Sequence, residues 1–316
     1  MSTLGVLRLE RAAAARLAAA SRAALDRPLA HDGELLLATV EDEAVVLGAL
    51  QRASELGAAD DPGRALLRRG SCGAEAMVGK GSLWMQLALS RPDALVRCEP
   101  SRLLNRYVRP LLRALTKVGA LAHYFDRDWV SAGKRPVAMI AFAHDAATGR
   151  AIVEALVAVR TPFAIRARPS YLGKAPATLA EIGAPVELAR LADAIAEAYA
   201  SAYGRSIVEM PGFQADPLPV EDLRAEPSWS ATRDEAIGVV GAGRDGTGRM
   251  RVGGELMVSR DAVTRLEERL EAACSTDPGE IGALVDALGA PDIALVGVRS
   301  LTSLRDVIVE ASRVPQ

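Results

Sequence analysis

The stretch of this chain best suited to chemistry is Arg68-Arg69-Gly70-Ser71-Cys72-Gly73-Ala74, closed further on by Lys80-Gly81-Ser82-Leu83. Small residues let backbone N–H groups approach a bound group closely, and guanidinium forks match carboxylate and phosphate geometry. Together they read as a pocket for an anion with a tail. The apolar run that follows, Leu83-Trp84-Met85-Gln86-Leu87-Ala88-Leu89, is suited to line the tail. A basic β-hairpin with small turn residues has the same composition, so the loop needs company to imply a function.

That company is Arg127-Asp128-Trp129-Val130-Ser131-Ala132-Gly133-Lys134-Arg135-Pro136. Gly133 permits a sharp turn, and Lys134 offers a compact point charge suited to a carboxylate or an α-phosphate. Other motifs lead nowhere. Gly241-Ala242-Gly243-Arg244-Asp245-Gly246 has dinucleotide-loop spacing, but Thr247-Gly248-Arg249-Met250-Arg251-Val252 continues it as a strand, so the glycines read as a hairpin connection. His31-Asp32 and His144-Asp145 have no metal-ligand partner at suitable spacing, and His123 reads as a structural histidine in an apolar strand. Gly79-Lys80-Gly81-Ser82 lacks the upstream glycine of a P-loop. The three cysteines form no CxxC pair. Cys98 and Cys274 read as core residues. Cys72 is either a small residue beside arginines or a thiol activated by them.

These residues must be held by a sizeable core. The 316 residues are half hydrophobic and 25% charged, with a net charge of −2, and no uninterrupted apolar stretch is long enough to span a membrane. The balance gives no reason to expect a nucleic-acid or membrane partner, and with no signal peptide legible it points to a cytoplasmic protein. Helices are expected over 10–25, 100–118, 176–182, 187–203, 259–274, 278–288 and 300–312. Strands are expected over 35–40, 44–50, 65–69, 83–89, 236–240 and 249–258, with a mid-sheet hairpin of 137–142 and 151–159. Prolines at 211, 217, 219 and 227 mark a linker. The expected class is α+β, with a mixed or antiparallel sheet flanked by helices over 1–210, a linker over 211–232 and a small α+β accessory domain over 233–316.

The order of these features resembles the lipoate–protein ligase branch of the biotin/lipoate ligase superfamily. Gly48-Ala49-Leu50-Gln51 is similar to the family's Gly-x-x-Gln turn, and residues 68–74 to its Arg-Arg-x-Ser/Thr loop with following glycines. Gly81-Ser82-Leu83 matches the closing element and Asp128…Gly133-Lys134 the lysine element. Gly253-Gly254-Glu255-Leu256, followed by a leucine-rich helix, looks similar to the accessory domain. The resemblance implies a two-step ligase. ATP, with Mg²⁺, activates lipoate or a related carboxylic acid as an acyl-adenylate, and the acyl group passes to a lysine of a lipoyl-domain-type acceptor. It further implies that Lys134 lies against the carboxylate and α-phosphate, while Arg68, Arg69, Gly70, Ser71, Cys72, Gly73, Ala74, Gly81, Ser82, Asp128 and Gly133 form the substrate and nucleotide site. The family's three consecutive glycines are here Cys72-Gly73-Ala74, its usual histidine aligns with Val78, and its usual arginine aligns with Ala49. These departures leave two alternatives: a non-catalytic homologue that binds an acyl ligand or carrier domain, and an acyltransferase using Cys72.

Overall fold

The computed structural model describes residues 3–212 and 222–314. In chain order the first part comprises β1 (Thr3–Ala12), α1 (Ala14–Ala23), β2 (Gly33–Val40), β3 (Ala44–Leu47), β4 (Ala65–Arg68), β5 (Ala76–Val78), β6 (Ser82–Leu89), α2 (Leu103–Lys117), β7 (Ala122–Tyr124), β8 (Trp129–Ala132), β9 (Arg135–His144), β10 (Ala151–Ala158), α3 (Leu188–Ala202) and β11 (Ser206–Glu209). The second comprises β12 (Ala231–Asp234), β13 (Val239–Arg244), β14 (Met250–Gly254), β15 (Met257–Val258), α4 (Arg260–Ala273), α5 (Pro278–Asp286), β16 (Leu295–Val296) and α6 (Leu301–Ser312).

Eight strands form the main sheet in the order β11-β1-β2-β6-β10-β9-β8-β7, parallel at β11-β1-β2 and antiparallel elsewhere. Its middle strands β6 and β10 are buried along their whole length, which is why they read as near-continuous apolar runs. Tyr107 and Leu111 of α2 and Leu191, Ile195 and Tyr199 of α3 complete this core. A small sheet, β4-β3-β5, shares it through Ala44 and Val46, while Val45 and Leu47 on the opposite face of β3 pack with Leu56 and Leu223. The C-terminal strands and helices close a second core around Val240, Val252, Leu266, Ile281, Leu304 and Ile308. Three residues of that C-terminal part, Ile237, Met257 and Ala294, belong instead to the main core.

Several expectations change. The helix expected over 10–25 starts only at Ala14, because residues 3–12 pair in parallel with both β2 and β11 and bury Leu4 and Val6. Tertiary pairing outweighs the local Ala/Arg pattern there. Residues 35–40 and 44–50, expected as a β-hairpin or as two consecutive strands, are two consecutive strands that enter different sheets. Residues 176–182 are turn structure, with Thr178 N and Oγ1 donating to Glu181. His123 is exposed on the edge strand β7, Cys274 is exposed and Cys98 is partly so, and none of these three is a core residue. Gly241 and Gly243 lie inside β13 and the turn falls at 245–248; a Cβ on Gly241 would stand 2.4 Å from the Trp229 ring. The linker expected over 211–232 lies in large part outside the described residues. Its described end is tied to the connection between β3 and β4, where Arg52 stacks over Trp229 at 3.7 Å and Arg224 forks onto Asp60.

Candidate active site

Three glycine-bearing segments far apart in sequence converge beside the C-terminal half of β9. Gly48 begins the first, and its amide donates to Gln51 Oε1 at 3.0 Å. A Cβ at Gly48 would lie 1.9 Å from the carbonyl oxygen of Gly73, so only glycine fits the crossing. Ala49 N donates to Ser71 O at 2.8 Å, locking this turn to the loop that follows β4. In that loop Gly73 has φ 83°, a conformation that glycine adopts freely. The third segment, 253–256, arrives from the C-terminal part. Gly254 N donates to Leu50 O at 2.8 Å, and Leu256 O accepts from Gly73 N at 3.2 Å. Cys72 N is also taken, by Phe142 O of β9 at 2.9 Å. The loop is therefore roofed: Cys72 and Ala74 are fully buried, and the Cys72 thiol lies 3.6 Å from Val258 O.

Arg69 holds the loop from inside. Its Nε donates to Ser71 Oγ at 2.7 Å, Nη1 to Val46 O at 3.2 Å, and Nη2 to both Cys72 O and Ala74 O at 2.7 Å. Glu154, in the centre of β10, accepts from the Ser71 hydroxyl and from Trp84 Nε1 at 3.0 Å, with Arg69 Nε 3.9 Å away. Burial lowers Arg69 to about 10, although Glu154 pulls the other way, and burial raises Glu154 despite Arg69. Burial also raises the Cys72 thiol, the reverse of what a nucleophile needs. Arg68 turns away: its Nη1 and Nη2 pair with Glu226, and Nη2 also donates to Gln51 O at 2.8 Å.

Next to the loop lies an ionic network in which Gln51, Asp128 and Glu255 stand in motifs read from the sequence, while Glu75, Arg166 and Arg168 were missed. Arg166 holds Glu75, Nε to Oε1 at 2.7 Å, and Gln51 Nε2 donates to Glu75 Oε2 at 2.8 Å. Arg168 Nη1 donates to Asp128 Oδ2 at 2.7 Å. Glu255, from the C-terminal part, accepts from Arg166 Nη2 and Arg168 Nη2, both at 2.7 Å. A Cβ at Gly238 would fall 1.4 Å from Glu255 Oε2, so the glycine makes room for that carboxylate. Burial drives Glu255 up to about 7, with Arg168 opposing and Glu75 adding to it. Glu75 sits at about 2, because Arg166 and Arg168 outweigh its own burial. The sequence signals were slight: lone charges in an otherwise apolar strand (Glu154) or in short segments beside it (Glu75, Arg166, Arg168).

The remaining sequence-derived residues lie elsewhere. Gly133 (φ 57°) and Lys134 (φ 63°) are the two-residue turn between β8 and β9, a mirror-image turn suited to hairpins, and Lys134 is exposed. Phe142 lies eight residue steps along β9 from it, roughly 26 Å of strand at about 3.3 Å per residue. Ser82 begins β6 and Gly81 lies in the turn before it, where Gly81 opens onto a different groove, with Lys80, Arg11 and Arg160, of about 630 Å³. The structure thus gathers residues 69–74 and Asp128 near the convergence and leaves Lys134 and Gly133 at the far end of β9. Among the described residues no group of three or more His, Cys, Asp or Glu side chains could hold a metal ion.

No protein-family model matches the sequence, and no curated protein matches it. Solved structures do match. LipL1 of P. falciparum, in complex with lipoate, superposes with a TM-score of 0.60 at 10% identity, over 97% of this chain and 99% of its own. A bi-partite lipoate protein ligase of Thermoplasma acidophilum, studied with its E2 lipoyl domain, gives 0.53 at 16% identity, over 66% of this chain and 87% of its own. A lipoate-protein ligase A bound with ATP gives 0.53 at 16% identity, over 66% and 89%. The fold is that of the lipoate–protein ligases: a large mixed sheet flanked by helices, with further C-terminal strands and helices.

Proposed function

We propose that this chain, built on the lipoate–protein ligase fold, is an ATP-dependent acid–protein ligase that activates lipoate or a related short- or medium-chain acid and transfers it to a lysine of a lipoyl-domain-type acceptor. The observation that carries the reading is the convergence of segments 48–51, 70–74 and 253–256 beside the guanidinium groups of Arg69, Arg166 and Arg168. In the first step a carboxylate oxygen attacks the α-phosphorus of ATP and pyrophosphate leaves. In the second, the acceptor amine attacks the acyl carbon, forms the amide and releases AMP. Both steps build negative charge that fixed cations stabilise. Mg²⁺ belongs to this reading as the counter-ion of the ATP phosphates, and a cytoplasmic location goes with ATP as co-substrate.

The Gly73 amide is engaged by Leu256 O, so its use for an adenylate requires segment 254–258 to withdraw, while the Cys72 amide stays bonded to Phe142 O of β9. A specific observation supports a second reading, an acyl-ligand or carrier-binding homologue without adenylation: Lys134, the lysine assigned from sequence, is remote from the loop. Incubation with ATP, lipoate or octanoate, and a lipoyl domain, followed by mass measurement of the acceptor, separates the two. An acylated acceptor formed only with ATP supports the ligase; an unmodified acceptor with every acid overturns it in favour of the binder. Acylation without ATP that is lost in Cys72→Ser would indicate the acyltransferase, which the buried, raised thiol disfavours.

A further inference from the structure

Glu255 reaches the main core from another part of the chain, and the groups that receive it do not depend on it for their placement. Arg166 is held by Glu75 through Nε at 2.7 Å and Nη2 at 3.3 Å. Arg168 is held by Asp128 and by the carbonyl oxygen of Ile237, at 2.7 and 2.5 Å. Glu75 is itself fixed by Gln51. With both guanidiniums oriented, the Nη2 atoms of the two face the two oxygens of a single carboxylate, and Glu255 gives Oε1 to one and Oε2 to the other. Paired donors in this geometry recognise a carboxylate as a class.

We propose that Arg166 and Arg168 form a carboxylate clamp which Glu255 fills from within the chain, and that the carboxylate of a free acid is its other occupant. The proposal rests on the ligase reading for the identity of the acid, but the clamp itself is a binding site and needs no turnover.

Three observations favour exchange over a permanent ion pair. First, the cluster sets three carboxylates (Glu75, Asp128, Glu255) against two guanidiniums in a largely buried setting, so one negative charge is in excess. Desolvation makes such an excess unfavourable, and the raised titration of Glu255 places the burden on the residue that arrives from outside. Secondly, buried Arg168 Nε has no hydrogen-bond partner among the described residues, so Glu255 leaves one guanidinium donor of the clamp unused. Thirdly, Glu255 is covalently next to Leu256, whose carbonyl covers Gly73 N. On this proposal a free acid that displaces Glu255 draws back its segment and uncovers the loop amide one residue away. Acid entry and opening of the loop become one event, and the built-in carboxylate lowers apparent affinity by the fraction of time it occupies the clamp.

The test is calorimetric titration of the full-length chain with octanoate, without ATP or acceptor, alongside Glu255→Gln. Removing the competing charge is expected to tighten octanoate binding about tenfold or more. Adding Arg166→Gln to Glu255→Gln should abolish the gain; Arg166 is the more exposed of the pair and the safer substitution for folding. Amide hydrogen exchange at Gly73 should quicken when octanoate saturates the wild-type chain. Octanoate binding that Glu255→Gln leaves unchanged, or a gain that survives Arg166→Gln, overturns the clamp. A gain seen for inorganic phosphate and not for octanoate overturns the carboxylate assignment and shows a phosphate site. Failure of acceptor acylation would sink the ligase reading and leave these binding results standing. Acylation by wild type with no octanoate gain in Glu255→Gln would do the reverse.

Discussion

The two ends of β9 carry residues of the same apparent importance in very different surroundings. At one end Lys134 sits on an exposed two-residue turn. Toward the other, around residues 139–142, the strand lies beneath the Arg69 loop, with Arg69 Nη2 4.0 Å from Met139 Sδ and Phe142 O bonded to Cys72 N. Both cations stand out by type and by neighbouring glycines. One is solvated and the other spends every nitrogen on protein acceptors. A motif therefore specifies a backbone path, while burial decides whether a charge in it organises the site or faces water.

Substitutions sharpen this contrast. Arg69→Ala leaves Glu154 buried without its counter-charge and the Cys72 and Ala74 carbonyls without a donor, and should lower stability by about 3–5 kcal/mol in urea unfolding. A well-folded Arg69→Ala of near-native stability would break the comparison. Gly48→Ala forces a Cβ into Gly73 O and should destabilise by about 1–3 kcal/mol in the same assay, with a faster exchange of the Gly73 amide.

The pH dependence comes next. Glu255 titrates near 7 in the folded chain, above its ordinary range, so its stabilising effect is complete at low pH and is lost as pH rises through 7. Arg166 and Arg168 face it as cations, and Glu75 and Asp128 as the neighbouring carboxylates. Glu75, held low by its arginines, has the opposite sign: its contribution is present above the ordinary carboxylate range and is lost in strong acid. Thermal unfolding should show a midpoint that falls between about pH 4.5 and 7 and that Glu255→Gln flattens. A slope that persists in the variant would assign it elsewhere. The smallest effect belongs to Lys134→Ala, which should change stability by no more than about 0.5 kcal/mol. A larger loss would show that the hairpin tip is not a solvated end.

Much of the fold is legible in the amino-acid sequence. The hairpin of β9 and β10 announces itself by two apolar runs around Asp145-Ala146-Ala147-Thr148-Gly149, and β6 by its eight buried residues. The helices α2, α3, α4, α5 and α6 are visible from their periodicity. The strand β1 is not, because Arg8, Glu10 and Arg11 break its alternation and only parallel pairing on both sides makes it a strand. In the site, the Gly48 turn, the 68–74 loop and the 253–256 turn can each be recognised separately. Nothing local reveals that they touch.

What the amino-acid sequence determined by itself is therefore local: where glycines release the backbone, where apolar periodicity builds strands and helices, and which ordered set of turns accompanies this fold. Only the tertiary structure decided which charges meet. Glu75, Arg166 and Glu255 come from three distant segments, and Glu154 from a fourth. Their ionisation and their partners follow from desolvation at a few ångströms, a property of the packed interior that residue type and spacing along the chain do not contain. The same packing placed Arg69 inside the loop and left Lys134 in solvent.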